Sequence, residues 1–268
     1  MRRHSAFAPW SRAQVHVEWG TTGARHAADR GDIVVIVDVL SFSTEIVLAV
    51  AENLTCLIYS DAELDAMGGI DTAAAILNAR PHRRFGYPRL DHAPLLPHPH
   101  SSVPGERVLF RSTNGAAVTC AAQAAPELLI GSLRNTRACA GHLGQLLAAA
   151  TANRATLIAC GSDTVTGGEH RFRPALEDWL AAGRIAAHLA GRGLVLSPEA
   201  HSAACGWPGT EMLPACVAAD ALIQADLGET VTTALAIDSS HAIPARLPSD
   251  PSGRVFTHAA TCAPGPWS

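Results

Sequence analysis

Short apolar runs rich in β-branched residues alternate with longer Ala-rich stretches along most of this chain. Compact Val/Ile/Leu runs bounded by polar positions read as buried strands, and apolar positions recurring every three or four residues read as helices. The pattern predicts strands near 33–37, 56–59, 108–110, 128–130, 156–160 and 231–237. Between them it predicts helices near 44–52, 62–79, 115–124, 135–150, 175–190 and 212–224. Strand and helix in alternation imply an α/β fold, with a mixed or parallel sheet covered by helices on both faces.

Two stretches interrupt the alternation. Residues 80–107 carry Pro81, Pro88, Pro94, Pro97, Pro99 and Pro104 together with His82, His92, His98 and His100, without periodicity, and read as a long connecting loop. This divides the chain into a first α/β half (14–80), a Pro/His-rich connection (81–106) and a second α/β half (107–247), followed by a flexible tail (248–268). The strand-to-helix units at Asp38 and at Arg111 are loosely similar, which fits an internal duplication. Residues 161–174, rich in Gly and Thr and containing Glu169, His170, Arg171 and Arg173, read as an irregular segment able to close over a site.

Composition narrows the function classes. A chain of 268 residues that is 48% hydrophobic can bury a substantial core. Net charge is −4 and every basic side chain is Arg, with no Lys anywhere. That balance leaves no electrostatic footprint for nucleic acid or an anionic membrane. Without Lys there is no usual Walker A motif and no Schiff-base nucleophile. The seven Cys are scattered and set mostly in apolar runs, so they read as reduced core thiols of a cytoplasmic protein. Residues 5–14 contain Pro9, Ser11 and Arg12 and do not read as a signal peptide, and no apolar run reaches membrane-spanning length. The His98-Pro99-His100 pair has no acidic or Cys partner close by in sequence, and reads as solvated loop rather than as a metal site.

Candidate chemistry gathers where strands end and helices begin, the places at which α/β sheets bind ligands. Asp38 ends an apolar strand and precedes Ser43 and Thr44. It reads either as a magnesium ligand or as a helix cap, with Ser43 and Thr44 supplying nearer caps. Ser112, Thr113, Asn114 and Gly115 form a second junction, suited to a phosphate at a helix N-terminus and equally to an ordinary capped helix start. Glu177 and Asp178 follow Pro174 and, on composition alone, are the usual acidic compensation in a first helical turn. The chain has no G-x-S-x-G elbow, and Leu40 stands where an aspartyl-phosphate D-x-D motif at Asp38 needs its second Asp. Metal-assisted attack of water on phosphorus is the chemistry that remains.

The stretches VIVDVLSFST (35–44), STNG (112–115), GSLRN (131–135), LEDWLAAG (176–183) and IDSS with IP (237–240, 243–244) resemble the 2-phosphosulfolactate phosphatase (ComB-like) family in order and spacing. The resemblance spans roughly residues 14–247. It implies two similar α/β halves and a magnesium-dependent hydrolase of a small phosphorylated organic acid, with 2-phosphosulfolactate as the leading substrate. It implies Asp38, Glu177 and Asp178 as catalytic, metal-holding residues. Ser43, Thr44, Ser112, Thr113, Asn114, Gly115, Ser132 and Asn135 are the implied substrate-binding residues. A homodimer is left open. The chain departs from the family pattern at Ser41, where an Arg is common, and at Ala175, where a Ser is common. Another phospho-carboxylate as substrate, and a non-catalytic binder of anionic metabolites, are the competing readings. Arg111, Arg134, Arg171 and Arg173 are the candidates to replace the missing guanidinium.

Overall fold

A computed structural model describes residues 13–82, 104–149, 152–166 and 169–259. The His98-Pro99-His100 pair, the first twelve residues and the last nine lie outside these. The first elements are β1 (Val15–Trp19), α1 (Gly20–Asp29), β2 (Ile33–Val37), α2 (Phe42–Ala51), β3 (Thr55–Tyr59), α3 (Asp61–Ala66), α4 (Ile70–Ile76) and β4 (Arg80–Pro81). Next come β5 (Arg107–Arg111), α5 (Asn114–Ala121), β6 (Leu128–Gly131), α6 (Thr136–Ala148), β7 (Ala155–Ala159), β8 (Ser162–Thr166) and β9 (Glu169–Arg173). The chain continues through α7 (Leu176–Ala190), α8 (Pro198–Cys205), α9 (Val217–Gln224), α10 (Gly228–Ala234), β10 (Pro244–Arg246) and β11 (Val255–His258).

Nine strands form one mixed sheet in the order β1-β7-β2-β6-β10-β11-β3-β5-β4, and β8 pairs with β9 in a separate hairpin. The expected α/β class with a helix-covered mixed sheet is what the chain adopts. β1, β7, β2 and β6 are mutually parallel, as are β3, β5 and β4, and the antiparallel pair β10-β11 joins the two groups. β1 and β2, from 14–80, lie among β7 and β6, from 107–247, so the two stretches interleave within one sheet.

β2 shows why an unbroken apolar run was required. All five of its residues are fully buried, and they alternate between two cores. Ile33, Val35 and Val37 pack with Leu143 of α6 and with Leu180 and Ile185 of α7. Val34 and Ile36 pack with Phe42, Ile46 and Val50 of α2. The second core also takes in Ile130 of β6, Phe256 of β11, Ile58 of β3 and Phe110 of β5. Strands from both groups therefore share one helix, and the sheet wraps around α2. Along the ladder β5 runs against β2, yet the wrap brings Asn114, just past the end of β5, to a pocket shared with Asp38.

Several expectations are corrected. The strand expected near 231–237 is helix α10: Thr230, Val231 and Ala234 are buried at helical spacing, and tertiary packing overrides the β propensity of the Thr/Val run. The long helix expected over 62–79 is split into α3 and α4 at Gly68 and Gly69, whose φ of 88° and 94° lie in a region that only Gly enters freely. The irregular segment 161–174 contains the hairpin β8-β9. The tail expected from 248 onward is not loose in its described part: β11 is an interior strand between β10 and β3. Strand β1 and helices α1 and α8 were not expected. Among the described residues no helix is long and apolar enough to cross a membrane.

Candidate active site

Where β2 ends, the chain turns sharply into α2, and the turn is locked by its own polar atoms. Ser43 N–H and its hydroxyl both donate to the Asp38 carbonyl, at 2.8 and 2.7 Å. Asp38 N–H in turn donates to Ser43 Oγ at 3.1 Å. The Thr44 hydroxyl donates to the Val39 carbonyl at 2.8 Å. The Asp38 backbone is thereby fixed at the mouth of a pocket that its residue lines.

Asp178, in the first turn of α7, ties this turn to the neighbouring strand. Its Oδ1 accepts from Val39 N–H at 2.7 Å and its Oδ2 from Gly161 N–H at 3.0 Å, bridging the ends of β2 and β7. Glu177 is also buried, and among the described residues its Oε2 has no hydrogen-bond partner. The Cys216 thiol hydrogen-bonds the Glu177 carboxyl from the segment that leads into α9.

The electrostatics follow from this crowding. Burial raises the proton affinity of Asp178 well above the usual carboxylate range; Asp38 and Glu177 raise it further, against the two N–H bonds that favour the charge. Burial also raises Glu177, against its own backbone N–H, Arg173 and Cys216. The Cys216 thiol is pushed up to about 11 by burial first and then by Glu177. Burial raises the Cys160 thiol as well, and Asp38 and Asp178 add to the rise. Acidic groups gathered in a buried corner repel one another, and a cation relieves that repulsion.

Among the described residues, no group of three or more His, Cys, Asp or Glu is arranged to enclose a metal ion. Magnesium does not need such a cage. It is held by one or two carboxylates plus waters and substrate phosphate oxygens. The donor set here is hard oxygen, and the unpartnered Glu177 Oε2 is the kind of buried atom that such an ion satisfies, so the corner fits a magnesium ion held by Asp38 and Glu177.

The pocket, about 220 Å3, opens from this acidic corner. Asn114, at the start of α5, lines one side. Gly161, Ser162 and Arg173, at the base of the β8-β9 hairpin, line another. Leu40, Ala175 and three residues of α9 (Ala218, Ala221 and Leu222) complete it with apolar surface.

Of the residues expected at the site, Asp38, Glu177, Asp178 and Asn114 are brought together here, and the others are placed elsewhere. Ser43 and Thr44 are fully buried, with hydroxyls directed at the backbone as above, and they hold the turn rather than a ligand. Ser112 Oγ accepts from Gly115 N–H at 3.0 Å, closing the start of α5. Thr113 donates to Asp61 Oδ2 at 2.7 Å on the exposed side, beside the Arg111–Asp61 pair. Gly115 is small because Phe42 needs the space: a Cβ there would lie 2.2 Å from the ring. Ser132 and Asn135 are fully buried partners in a capping box, and Asn135 Nδ2 also donates to the Ala242 carbonyl at 2.9 Å. Ser41 donates to Glu45 Oε1 at 2.5 Å, and Glu45 faces His82 at 3.5 Å, in a buried group apart from the pocket lining. Sequence reasoning missed the α9 wall, and it flagged Gly161 and Ser162 only as part of the segment 161–174. Arg173 stood in the flagged segment, which was its signal; the Ala and Leu of α9 carried none.

The chain matches the model of the 2-phosphosulpholactate phosphatase family over residues 21–247 and belongs to that family. No curated protein matches it. As a member of a phosphatase family, it is a phosphoric monoester hydrolase.

Proposed function

We propose that this member of the family hydrolyses 2-phosphosulfolactate to sulfolactate and phosphate in a magnesium-dependent reaction. The observation that carries the metal dependence is the buried, unpartnered Glu177 Oε2 in a pocket shared with Asp38 and Asp178. Asp38 and Glu177 would hold the ion. When bound, it supplies Lewis acidity and screens the charge that grows on the phosphoryl oxygens. Asp178 keeps the corner in register through its two backbone bonds. Asn114 lines the pocket, where its amide would donate to a phosphoryl oxygen, and the apolar α9 wall would limit entry of bulk water. Water attacks phosphorus, the bond from phosphorus to the ester oxygen breaks, and the leaving alkoxide takes up a proton.

The test is phosphate release from 2-phosphosulfolactate before and after exhaustive chelation, with magnesium added back. Release that stops on chelation and returns with magnesium is expected. Full turnover in chelator overturns the metal dependence, and no turnover of the ester under either condition overturns the substrate. A phosphorylated carboxylate other than 2-phosphosulfolactate is a second reading. It is favoured by Ala175, which lines the pocket where the family commonly has Ser.

A further inference from the structure

Among the described residues that line the pocket, Arg173 is the one cationic side chain. Among the described residues its guanidinium makes no hydrogen bond or ion pair, and its charge is felt by Glu177. Three acidic side chains, Asp38, Glu177 and Asp178, line the same pocket. A divalent ion there offsets part of their charge, but an incoming phosphomonoester is itself a dianion. A substrate with an additional acid group therefore needs one more positive charge, and Arg173 is where the pocket provides it.

The hairpin is built so that this side chain stays in place. Phe172 and Arg173 are successive residues of β9, and successive strand residues point to opposite faces. Phe172 packs edge-on against Trp19, with ring centroids 5.9 Å apart, and Trp19 stacks on Trp179 at 5.2 Å with an interplanar angle of 6°. Gly161, opposite the end of the hairpin, has φ 65°, and a Cβ there would come within 2.6 Å of the Phe172 ring. The aromatic stack thus seats one face of β9 and commits the other face, with Arg173, to the pocket. Arg173 also pairs across the hairpin with Ser162, a second pocket residue.

We infer that Arg173 is the specificity-determining residue of this pocket and that its guanidinium is the group that grips the substrate's carboxylate. A guanidinium matches a planar carboxylate by two parallel N–H bonds, which neither Asn114 nor Ser162 can offer. Phe172 acts through it as a positioning residue. This inference rests on the proposed phosphatase site and deepens it by naming the residue that recognises the acid group.

The test uses a matched pair, 2-phospholactate and isopropyl phosphate, which share a skeleton and differ by a carboxylate in place of a methyl group. Both are assayed with magnesium on the full chain and on Arg173→Gln and Arg173→Lys. Arg173→Gln is expected to lower kcat/KM for phospholactate about ten- to a hundredfold more than for isopropyl phosphate, mainly through KM, with Lys recovering part of the loss. Phe172→Ala should give a smaller loss with the same substrate selectivity. An equal fall for both esters, or no fall for either, overturns the assignment. A calorimetric arm measures sulfolactate binding without turnover: weaker binding in Arg173→Gln supports the clamp, and unchanged binding in Arg173→Gln overturns it. If the unaltered protein hydrolyses neither ester but does hydrolyse 2-phosphosulfolactate, a carboxylate alone is not what the pocket selects and the assignment falls; if it hydrolyses none of the three, the proposed reaction falls, and the calorimetric arm still decides the role of Arg173.

Discussion

The acidic corner at the ends of β2 and β7 and the turn between β6 and α6 have similar grammar: an apolar strand, a few polar residues, then a helix. In the second region the Ser132 and Asn135 polar atoms are used within the fold, and the buried atom left without a partner among the described residues, Arg134 Nε, belongs to a residue outside the pocket lining. Ser132 N–H donates to Asn135 Oδ1 at 2.8 Å, Arg134 N–H donates to Ser132 Oγ at 3.2 Å, and the Asn135 amide reaches the Ala242 carbonyl. In the first region the polar capacity is left over. Glu177 Oε2 is buried without a hydrogen-bond partner among the described residues, and the charges of Asp38 and Glu177 both crowd Asp178. A buried polar group that is fully bonded specifies structure, whereas one left unsatisfied at a pocket marks a ligand position. That difference separates two junctions which residue type alone does not.

Removing charge without changing shape breaks the comparison most sharply. Asp38→Asn and Glu177→Gln are expected to lower kcat by about a hundredfold or more while the protein stays folded, because they remove metal-holding charge and keep the side-chain outline. The check is steady-state phosphate release together with circular dichroism. Wild-type rates in both variants would show that the acidic corner is as structural as the Ser132–Asn135 turn.

The converse expectation for the second region is a loss of stability with little loss of chemistry. Asn135→Ala leaves Ser132 N–H and the Ala242 carbonyl buried without those partners, at a cost of about 1–3 kcal/mol. Gly115→Ala drives a methyl group into Phe42 and is expected to cost about 1–3 kcal/mol by overpacking. Denaturant midpoints should fall in both variants, while kcat per folded molecule stays near that of the unaltered protein. A variant that keeps its midpoint and loses kcat would move its residue from scaffold to site.

These contrasts also explain what the sequence could and could not reveal. The five-residue apolar run of β2 fixed a central strand because burial on both faces leaves no alternative to it. The α7 acidic pair was visible, but its meaning was not: Glu177 and Asp178 look like dipole compensation until Asp178 is seen to accept Val39 N–H from a segment 139 positions away. Ser43, Thr44, Ser132 and Asn135 looked like ligand groups because residue type does not tell whether a hydroxyl or amide meets a backbone atom or open space. α10 and β11 were misread for a related reason. Val231 is helical because its neighbours pack at helical spacing, and Val255 and Phe256 are interior strand residues because β3 and β10 supply their ladders. The pocket's apolar wall, Ala218, Ala221 and Leu222, could not be distinguished from core by composition.

The smallest effect is also the one whose sign is least intuitive. Burial raises the proton affinity of Glu177 in the folded chain above its ordinary value of 4.5. A carboxyl group raised in this way favours folding most when protonated. Its contribution is fully present below the unfolded value and is lost as pH rises through the folded value. In chelator, the unaltered protein should therefore lose stability as pH climbs from about 4.5 towards neutrality. Glu177→Gln imitates the protonated state and keeps the side chain's shape, so it should match the unaltered protein in strongly acidic buffer and exceed it at neutral pH. Added magnesium should reverse the order, because only the carboxylate gains from the ion, and binding stabilises the folded state by mass action. Denaturant midpoints across pH, with chelator and with magnesium, measure all of this on one pair of proteins. The substitution expected to abolish turnover would then be the one that stabilises the metal-free fold, the signature of a residue kept for its ligand. Equal midpoints at neutral pH in chelator would show that the Glu177 carboxylate is comfortable where it lies, and that Oε2 is satisfied by solvent instead of by an ion.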